Sequence, residues 1–297
     1  MYTFFLVNEL NINSPFGAPA YYKETVASTM DEARLLANPV SGTVIAAGEQ
    51  SAGRGRIGRP WKTGNTESLA FTLILKFGTI EKIPPALTLR TGLAVAQAVE
   101  DFLVCILNST NSPLAGRVLV KWPNDVMLLD KAGHGRKVAG ILTEASGENV
   151  YIGIGVNIAQ KSFPPELAGK ACSIAQALLE TYNQNDATTE LLTEKRFILL
   201  EKILLRLHEE LNTAAGISLW RNRLEKRLYM KCQKICFVPG LPEEYADKSP
   251  LVIEGILHGI GENGEILIVP DGGEILSFVT GELKPQNMAY KYPKLIR

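Results

Sequence analysis

Arg136-Lys137-Val138-Ala139-Gly140-Ile141-Leu142-Thr143-Glu144 and, a few residues on, Val150-Tyr151-Ile152-Gly153-Ile154-Gly155 set the fold class. Each is an apolar run broken mainly by glycine, as expected of a strand buried in a sheet. Val118 to Lys121 is a third such run upstream, set off by the Pro123-Asn124-Asp125 turn and the polar connection Asp130 to Lys137. Adjacent strands with short turns predict antiparallel pairing. Ahead of them, Thr43 to Ala47 reads as a short strand and Leu69 to Leu75 as one of the fully buried type.

Helices complete an α+β pattern. Ser28 reads as an N-cap for Thr29 to Ala37, with Asp31 and Glu32 favourably placed for the helix dipole. Pro84 and Pro85 open a helix to about Leu103, with Leu89, Leu93, Ala96 and Val99 on one face. Ala171 to Leu179, Thr189 to Leu211 and Leu219 to Tyr229 are the later helices. Past residue 231 the chain changes to short β-rich runs, Lys234 to Val238, Leu251 to Leu257, Glu265 to Val269 and Glu274 to Val279, separated by Gly-containing turns. The expected organisation is a main domain over 1–230 and a small all-β barrel over 231–297.

Composition excludes several function classes. Of 297 residues 46% are apolar and 21% charged, with 31 basic and 31 acidic side chains. Zero formal net charge argues against a coat for nucleic acid or an anionic membrane, so positive charge must act locally. The apolar start Met1 to Val7 meets Asn8 and Glu9 too soon for a signal peptide, and no apolar run approaches the ~20 residues of a membrane span. The four cysteines lack Cys-x-x-Cys spacing and the three histidines are scattered, so a metal cluster is not expected. A reducing cytoplasm is the expected compartment.

Four segments carry chemistry. In Gly53-Arg54-Gly55-Arg56-Ile57-Gly58-Arg59-Pro60-Trp61, glycines let the backbone approach a ligand and arginines supply permanent planar donors for phosphate or carboxylate. A solvated basic loop, or a patch touching RNA, fits the same run. Lys121-Trp122-Pro123-Asn124-Asp125 brings a cation and a carboxylate to one end of the sheet, where Asp125 could hold Mg²⁺ or orient a donor. Simple turn chemistry fits it too. Lys137 enters a buried strand in which Gly140 leaves room for a ligand, although a surface lysine at a strand start is common. Gly153-Ile154-Gly155-Val156-Asn157 lacks the third glycine and the following helix of a dinucleotide fingerprint. A P-loop and a Gly-x-Ser-x-Gly elbow are also missing.

In this order and spacing the four segments resemble those of the biotin protein ligases. Ser28-Thr29 ahead of them and Gln50 before the arginine loop match as well. The resemblance covers roughly residues 20 to 230, and more weakly the C-terminal part. It implies a mixed, largely antiparallel sheet with helices, like that of class II aminoacyl-tRNA synthetases, plus a small SH3-like β-barrel. It implies an enzyme that uses ATP and Mg²⁺ to form biotinyl-5′-AMP and then biotinylates a lysine of a biotin carboxyl carrier protein. By carry-over, Ser28, Thr29, Met30 and Gln50 line the biotin pocket, while Arg54, Gly55 and Arg56 close over biotin and the intermediate. Lys137 contacts the carboxylate and phosphoryl oxygens beside Gly140. Trp61 and Asn157 serve adenine, whereas Lys121, Asn124 and Asp125 form the phosphate and Mg²⁺ side. Lys137, Arg56 and Asp125 are the catalytic candidates, Asp125 as the candidate base of the transfer step.

The sequence departs from the family in places. Only 20 residues precede Tyr21, where repressor members carry a winged helix, so DNA binding is not expected. The usual Ala-Thr-Ser-Leu reads Ala171-Cys172-Ser173-Ile174, and Asn108 to Gly116 and Pro239 to Pro250 look like surface insertions. The enzymatic rival is a lipoate–protein ligase, whose Arg-Arg-x-Ser-Gly-Gly-Gly loop is absent here; a biotin-sensing repressor and an RNA-binding module are the others. Homodimers occur in the family, but nothing in the sequence decides that point.

Overall fold

The structure is a computed structural model that describes residues 8–61, 63, 66–108, 114–182, 187–240 and 251–285. Met1 to Val7 and most of the two expected insertions lie outside the described residues. Eight strands form the main sheet: β1 (Asn8–Glu9), β2 (Ala20–Val26), β3 (Val44–Gln50), β4 (Ser68–Lys76), β5 (Val118–Lys121), β6 (Asp125–Leu129), β7 (Gly135–Ser146) and β8 (Asn149–Asn157). Their order is β1-β2-β3-β4-β8-β7-β6-β5. Only β2 and β3 run parallel, so the sheet is mixed and largely antiparallel, as expected.

Alternation along the strands divides two faces. One buries Leu69, Phe71, Leu73 and Leu75 with Val118, Val120 and Ile152 against α2 (Leu87–Leu107), reached through Leu93, Ala96, Val99 and Phe102. On the other, α1 (Thr29–Arg34) packs Met30 and Ala33 on Ile45, Ile74 and Tyr151. Behind α2 lie α5 (Arg196–Asn212) and α6 (Ala214–Glu225), following α3 (Ile174–Tyr182) and α4 (Ala187–Glu194). The buried Arg90 donates to the Glu210 side chain and to its carbonyl at 3.3 and 2.6 Å, and Arg223 pairs with the same carboxylate. Buried charge is tolerated there because each group has a partner.

Several boundaries differ from the sequence reading. Helix α1 ends at Arg34, and Ser28 occupies its N-cap position without a side-chain capping bond. The single helix expected over Thr189 to Leu211 divides at Lys195, whose ψ of 7° leaves the helical range. Helix α6 begins early because the Thr213 hydroxyl accepts from the Gly216 amide. It stops at Glu225 because the chain beyond is recruited as an edge partner: the Val120 amide donates to Arg227 O and the Tyr229 amide to Val120 O, both at 2.8 Å. That pairing covers the exposed rim of β5.

A second, five-stranded antiparallel sheet follows, built from β9 (Lys234–Pro239), β10 (Ile253–Ile260), β11 (Ile266–Pro270), β12 (Leu276–Phe278) and β13 (Gly281–Pro285), in the order β12-β11-β10-β9-β13. It docks on the turn after β5. Trp122 donates its indole N–H to Gly264 O at 3.0 Å, and its ring meets Phe237 at 5.8 Å between centroids.

Candidate active site

Strand register builds the floor of a cleft. Lys121 pairs with Asp125, Asp125 with Gly140, Gly140 with Gly155, Gly155 with Ala70, and Ala70 with Ala47. This row crosses six strands on the α1 face, and its centre has almost no side chain. The next row on that face runs Leu142, Gly153, Thr72, Ile45. A β-carbon at Gly153 would approach Met30 Sδ to 2.9 Å, and one at Gly155 would approach Trp61 Cε2 to 2.3 Å. The glycines are therefore needed for the walls to close in.

Lys137 reaches this floor through a bulge. Val126 faces Ala139, but Met127 faces Lys137, so Val138 is the extra residue of β7. Plain alternation would put Lys137 on the core face with Ala139 and Ile141; the bulge turns it over Gly140, where a β-carbon would meet its Nζ at 3.1 Å. Its ammonium lies 2.6 Å from Asp125 Oδ1, a close ion pair without the alignment of a hydrogen bond. It also stands 5.5 Å from the centre of the Trp61 ring.

The arginine loop roofs the cleft as a tight hairpin. Gly55 donates to Arg59 O at 2.7 Å and Trp61 to Gly53 O at 2.8 Å, with Ile57 and Gly58 both in the left-handed region. The return strand lays the Trp61 indole over Gly140 and Gly155, its N–H buried without a hydrogen-bond partner. Arg54 turns away to a two-bonded pair with Asp31 of α1. Arg56 reaches Asn124 Oδ1 at 3.4 Å, and burial holds its guanidinium below the usual arginine range despite Asp125 nearby. Asn124 is fixed in turn by donating to Ile141 O at 3.0 Å. Arg59 pairs with Glu282 of β13 at 3.1 Å.

At the far end, Gln50 Oε1 accepts from the amide and hydroxyl of the buried Thr29 at 2.8 and 3.1 Å, and Thr72 donates to the same hydroxyl. Ser28, Thr29, Met30, Gln50, Arg54, Gly55 and Arg56 thus share a cleft of about 300 Å³ with Trp61, Asn124, Asp125, Lys137 and Gly140. Two sequence-predicted site residues are not on its surface. Lys121 stands behind Asp125 in the register row, where burial lowers its ammonium's pKa. Asn157 lies one step beyond Gly155 and spends its amide on Cys172 O and Lys137 O, at 3.2 and 3.5 Å. Conversely, Val238, Gly281, Glu282 and Lys284 of the second sheet, with Gly240 just after β9, line the cleft without any sequence indication. Among the described residues no group of three or more His, Cys, Asp or Glu is placed to hold a metal.

The cleft is floored by paired glycines and roofed by an arginine hairpin, with Lys137 beside Asp125; residues 21–157 match the biotin/lipoate A/B protein ligase family. The chain as a whole resembles the biotin protein ligases. It is 34% identical over 193 residues to the bifunctional ligase/repressor BirA of Bacillus spizizenii, covering 61% of this chain and 54% of that one. It is 40% identical over 145 residues to the biotin–[acetyl-CoA-carboxylase] ligase of Paracoccus denitrificans, covering 44% of this chain and 51% of that one. The chain spans about half the length of these curated relatives. It superposes with a TM-score of 0.65 on the biotin protein ligase of Aquifex aeolicus in complex with biotin and ATP, at 26% identity over 89% of this chain and 97% of that one.

Proposed function

We propose that this protein is an ATP-dependent biotin ligase. It forms biotinyl-5′-AMP and pyrophosphate, then moves biotin to a lysine of the biotin carboxyl carrier protein of acetyl-CoA carboxylase or a related carboxylase. The observation that carries this reading is Lys137, turned by a bulge onto a side-chain-free floor under an arginine-rich roof. A carboxylate is a poor acyl donor, and joining it to a phosphate brings two anions together. Lys137 and Arg56 offset that repulsion and stabilise the added charge of the transition state. Binding both reactants in one cleft contributes several kcal/mol more, about what lost translational freedom costs.

Ser28, Thr29, Met30 and Gln50 take the biotin head, and Arg54, Gly55 and Arg56 cover its chain. Trp61 stacks on the nucleotide side, where Asn157 meets adenine once the ligand opens its present bonds. Lys121 and Asn124 flank the phosphates. Asp125 also fits Mg²⁺, because it is a half-buried carboxylate at the cleft surface and one carboxylate with nucleotide oxygens is a common ligand set for that ion; a bound ion would neutralise phosphate charge. Asp125 accepts the proton as the carrier amine attacks. In this reading 1–230 is the catalytic domain and 231–297 the appended one, and the enzyme works in the cytoplasm. No helix among the described residues is long and apolar enough to cross a membrane.

The test supplies ATP, a carrier domain, and labelled biotin or labelled lipoate. Covalent biotin on the carrier lysine is expected. Lipoyl transfer instead, or no transfer of either label, overturns the proposal. Sedimentation with and without biotin reads the homodimer that the family resemblance raises.

A further inference from the structure

The second sheet does more than pack against the first. Strand β13 pairs with β9, Glu282 opposite Val238 and Lys284 opposite Cys236. Between them Leu283 is buried, so Glu282 and Lys284 share the opposite face, and both line the cleft. Gly281 lets the strand lie this close, since a β-carbon there would come within 2.3 Å of Phe237. The Glu282 carboxylate is shared: Arg59 approaches one oxygen at 3.1 Å and Lys284 the other at 3.2 Å.

Among the described residues, charge at this end of the cleft is unbalanced. Arg56, Arg59, Lys137 and Lys284 line it against two carboxylates, Asp125 and Glu282, with Lys121 close behind. A cation excess in a half-buried cleft selects a polyanion. Under the proposed function a carboxylate oxygen attacks the α-phosphorus, and the bond to the bridging oxygen of the β-phosphate breaks. That oxygen keeps the electron pair and leaves as part of pyrophosphate, in line with and opposite to the attack. With the acyl chain entering from the Gln50 end past Lys137, the leaving group points toward β13.

We infer that Lys284 of β13 is a polyphosphate contact: with Arg59 it binds the β- and γ-phosphates of ATP and the departing pyrophosphate. Glu282 is the positioning residue that holds both cations at the cleft before nucleotide arrives. The inference rests on the ligase reading, and the two can fail separately.

The test uses the full chain, Lys284→Gln and Lys284→Arg. Loss of a charge-assisted contact should raise the ATP KM about tenfold in Lys284→Gln and weaken pyrophosphate inhibition similarly, with the biotin KM unchanged. Lys284→Arg should recover most of both. Transfer from supplied biotinyl-5′-AMP, which has no β-phosphate, should stay within about twofold. An unchanged ATP KM and pyrophosphate inhibition in Lys284→Gln overturns the inference, as does an equal loss of transfer from supplied adenylate. Calorimetric titration with pyrophosphate reads the same contact without any biotin chemistry. A parent that binds pyrophosphate through Lys284 but adenylates nothing would sink the ligase reading alone; binding unaffected by Lys284→Gln would sink this one.

Discussion

Replacing Gly155 by alanine tests whether the floor must be free of side chains. The added β-carbon would lie 2.3 Å from Trp61 Cε2 and 2.6 Å from Nε1, where ordinary contact begins at 3.4 Å. The indole must therefore lift by roughly 1 Å or more. The strand cannot easily yield instead, because Gly155 is locked in register with Gly140 on one side and Ala70 on the other. Trp61 is the movable partner, lying on a loop and half-buried. Lifting it shifts the ring over which Lys137 stands and narrows the space between roof and floor. A misplacement of ~1 Å in groups that position reactants costs on the order of 10²-fold in rate.

Stability should move little. Gly155 has no left-handed backbone that alanine would strain, and the stiffer unfolded chain returns about 0.4–1 kcal/mol against the loop's adjustment. The assay follows pyrophosphate release under saturating biotin and ATP, beside a thermal melt. A loss of about 10²-fold with Tm within a few degrees is expected. Combining the change with Trp61→Leu isolates the cause: if the clash is with the indole, Gly155→Ala should add little in that background. A single variant that adenylates within threefold of the parent, or an equal penalty with and without the indole, refutes the reasoning.

Other consequences follow from the same geometry. Lys137→Ala should lower adenylate formation by about 10²–10³-fold with little change in Tm, because the group stabilises charge rather than a core; single-turnover formation of biotinyl-5′-AMP reads it. Arg56→Gly removes a donor from the roof and frees its backbone, so adenylate should still form but escape and label lysines of an unrelated protein. Bystander labelling at the parent's level, with adenylation intact, would count against Arg56 as a retaining group. Cys105 and Cys232 are exposed, so alkylation should modify both quickly, while Cys172 and Cys236 react only on unfolding. Burial pushes the Cys172 thiol up to about 12, so its neutral form is favoured in the fold. Its protection should persist from pH 7 to 9, and its contribution to stability should be lost only as pH rises from the ordinary thiol range toward 12. Mass spectrometry of the alkylated peptides checks both points.

Runs of one composition were legible, and the geometry between runs was not. The apolar segments at 69–75, 118–121, 138–144 and 150–155 all fall on strands because a buried sheet leaves few other homes for such residues. Strand β6 escaped the reading because Asp125 looks like the last residue of a Pro-Asn-Asp turn, yet it is the first of the strand. Strand β2 is hidden as well, because Lys23, Glu24 and Thr25 interrupt its apolar pattern. Lys137 illustrates a deeper limit. Its position beside a ligand came from resemblance, whereas its parity with Ala139 and Ile141 argues for the core; only the extra residue at Val138 reverses that.

The second sheet's part in the cleft was illegible for a different reason. Glu282 and Lys284 flank the buried Leu283 in the ordinary alternation of a half-solvated strand, so nothing local marks them as more than surface. Their position is decided 160 residues away, where Trp122 gives its N–H to Gly264 and its ring to Phe237. Trp122 is two peptide bonds from Asn124 and three from Asp125, so the same short turn both brings these two residues to the cleft and anchors the sheet that closes it. The Arg59–Glu282 pair then ties roof to wall. Weakening the anchor, as in Trp122→Phe, deletes one hydrogen bond but leaves every cleft side chain in place. Its effect should therefore fall on ATP affinity before it falls on biotin affinity, since Gln50 and Thr29 are held by α1 and β3 independently of the second sheet.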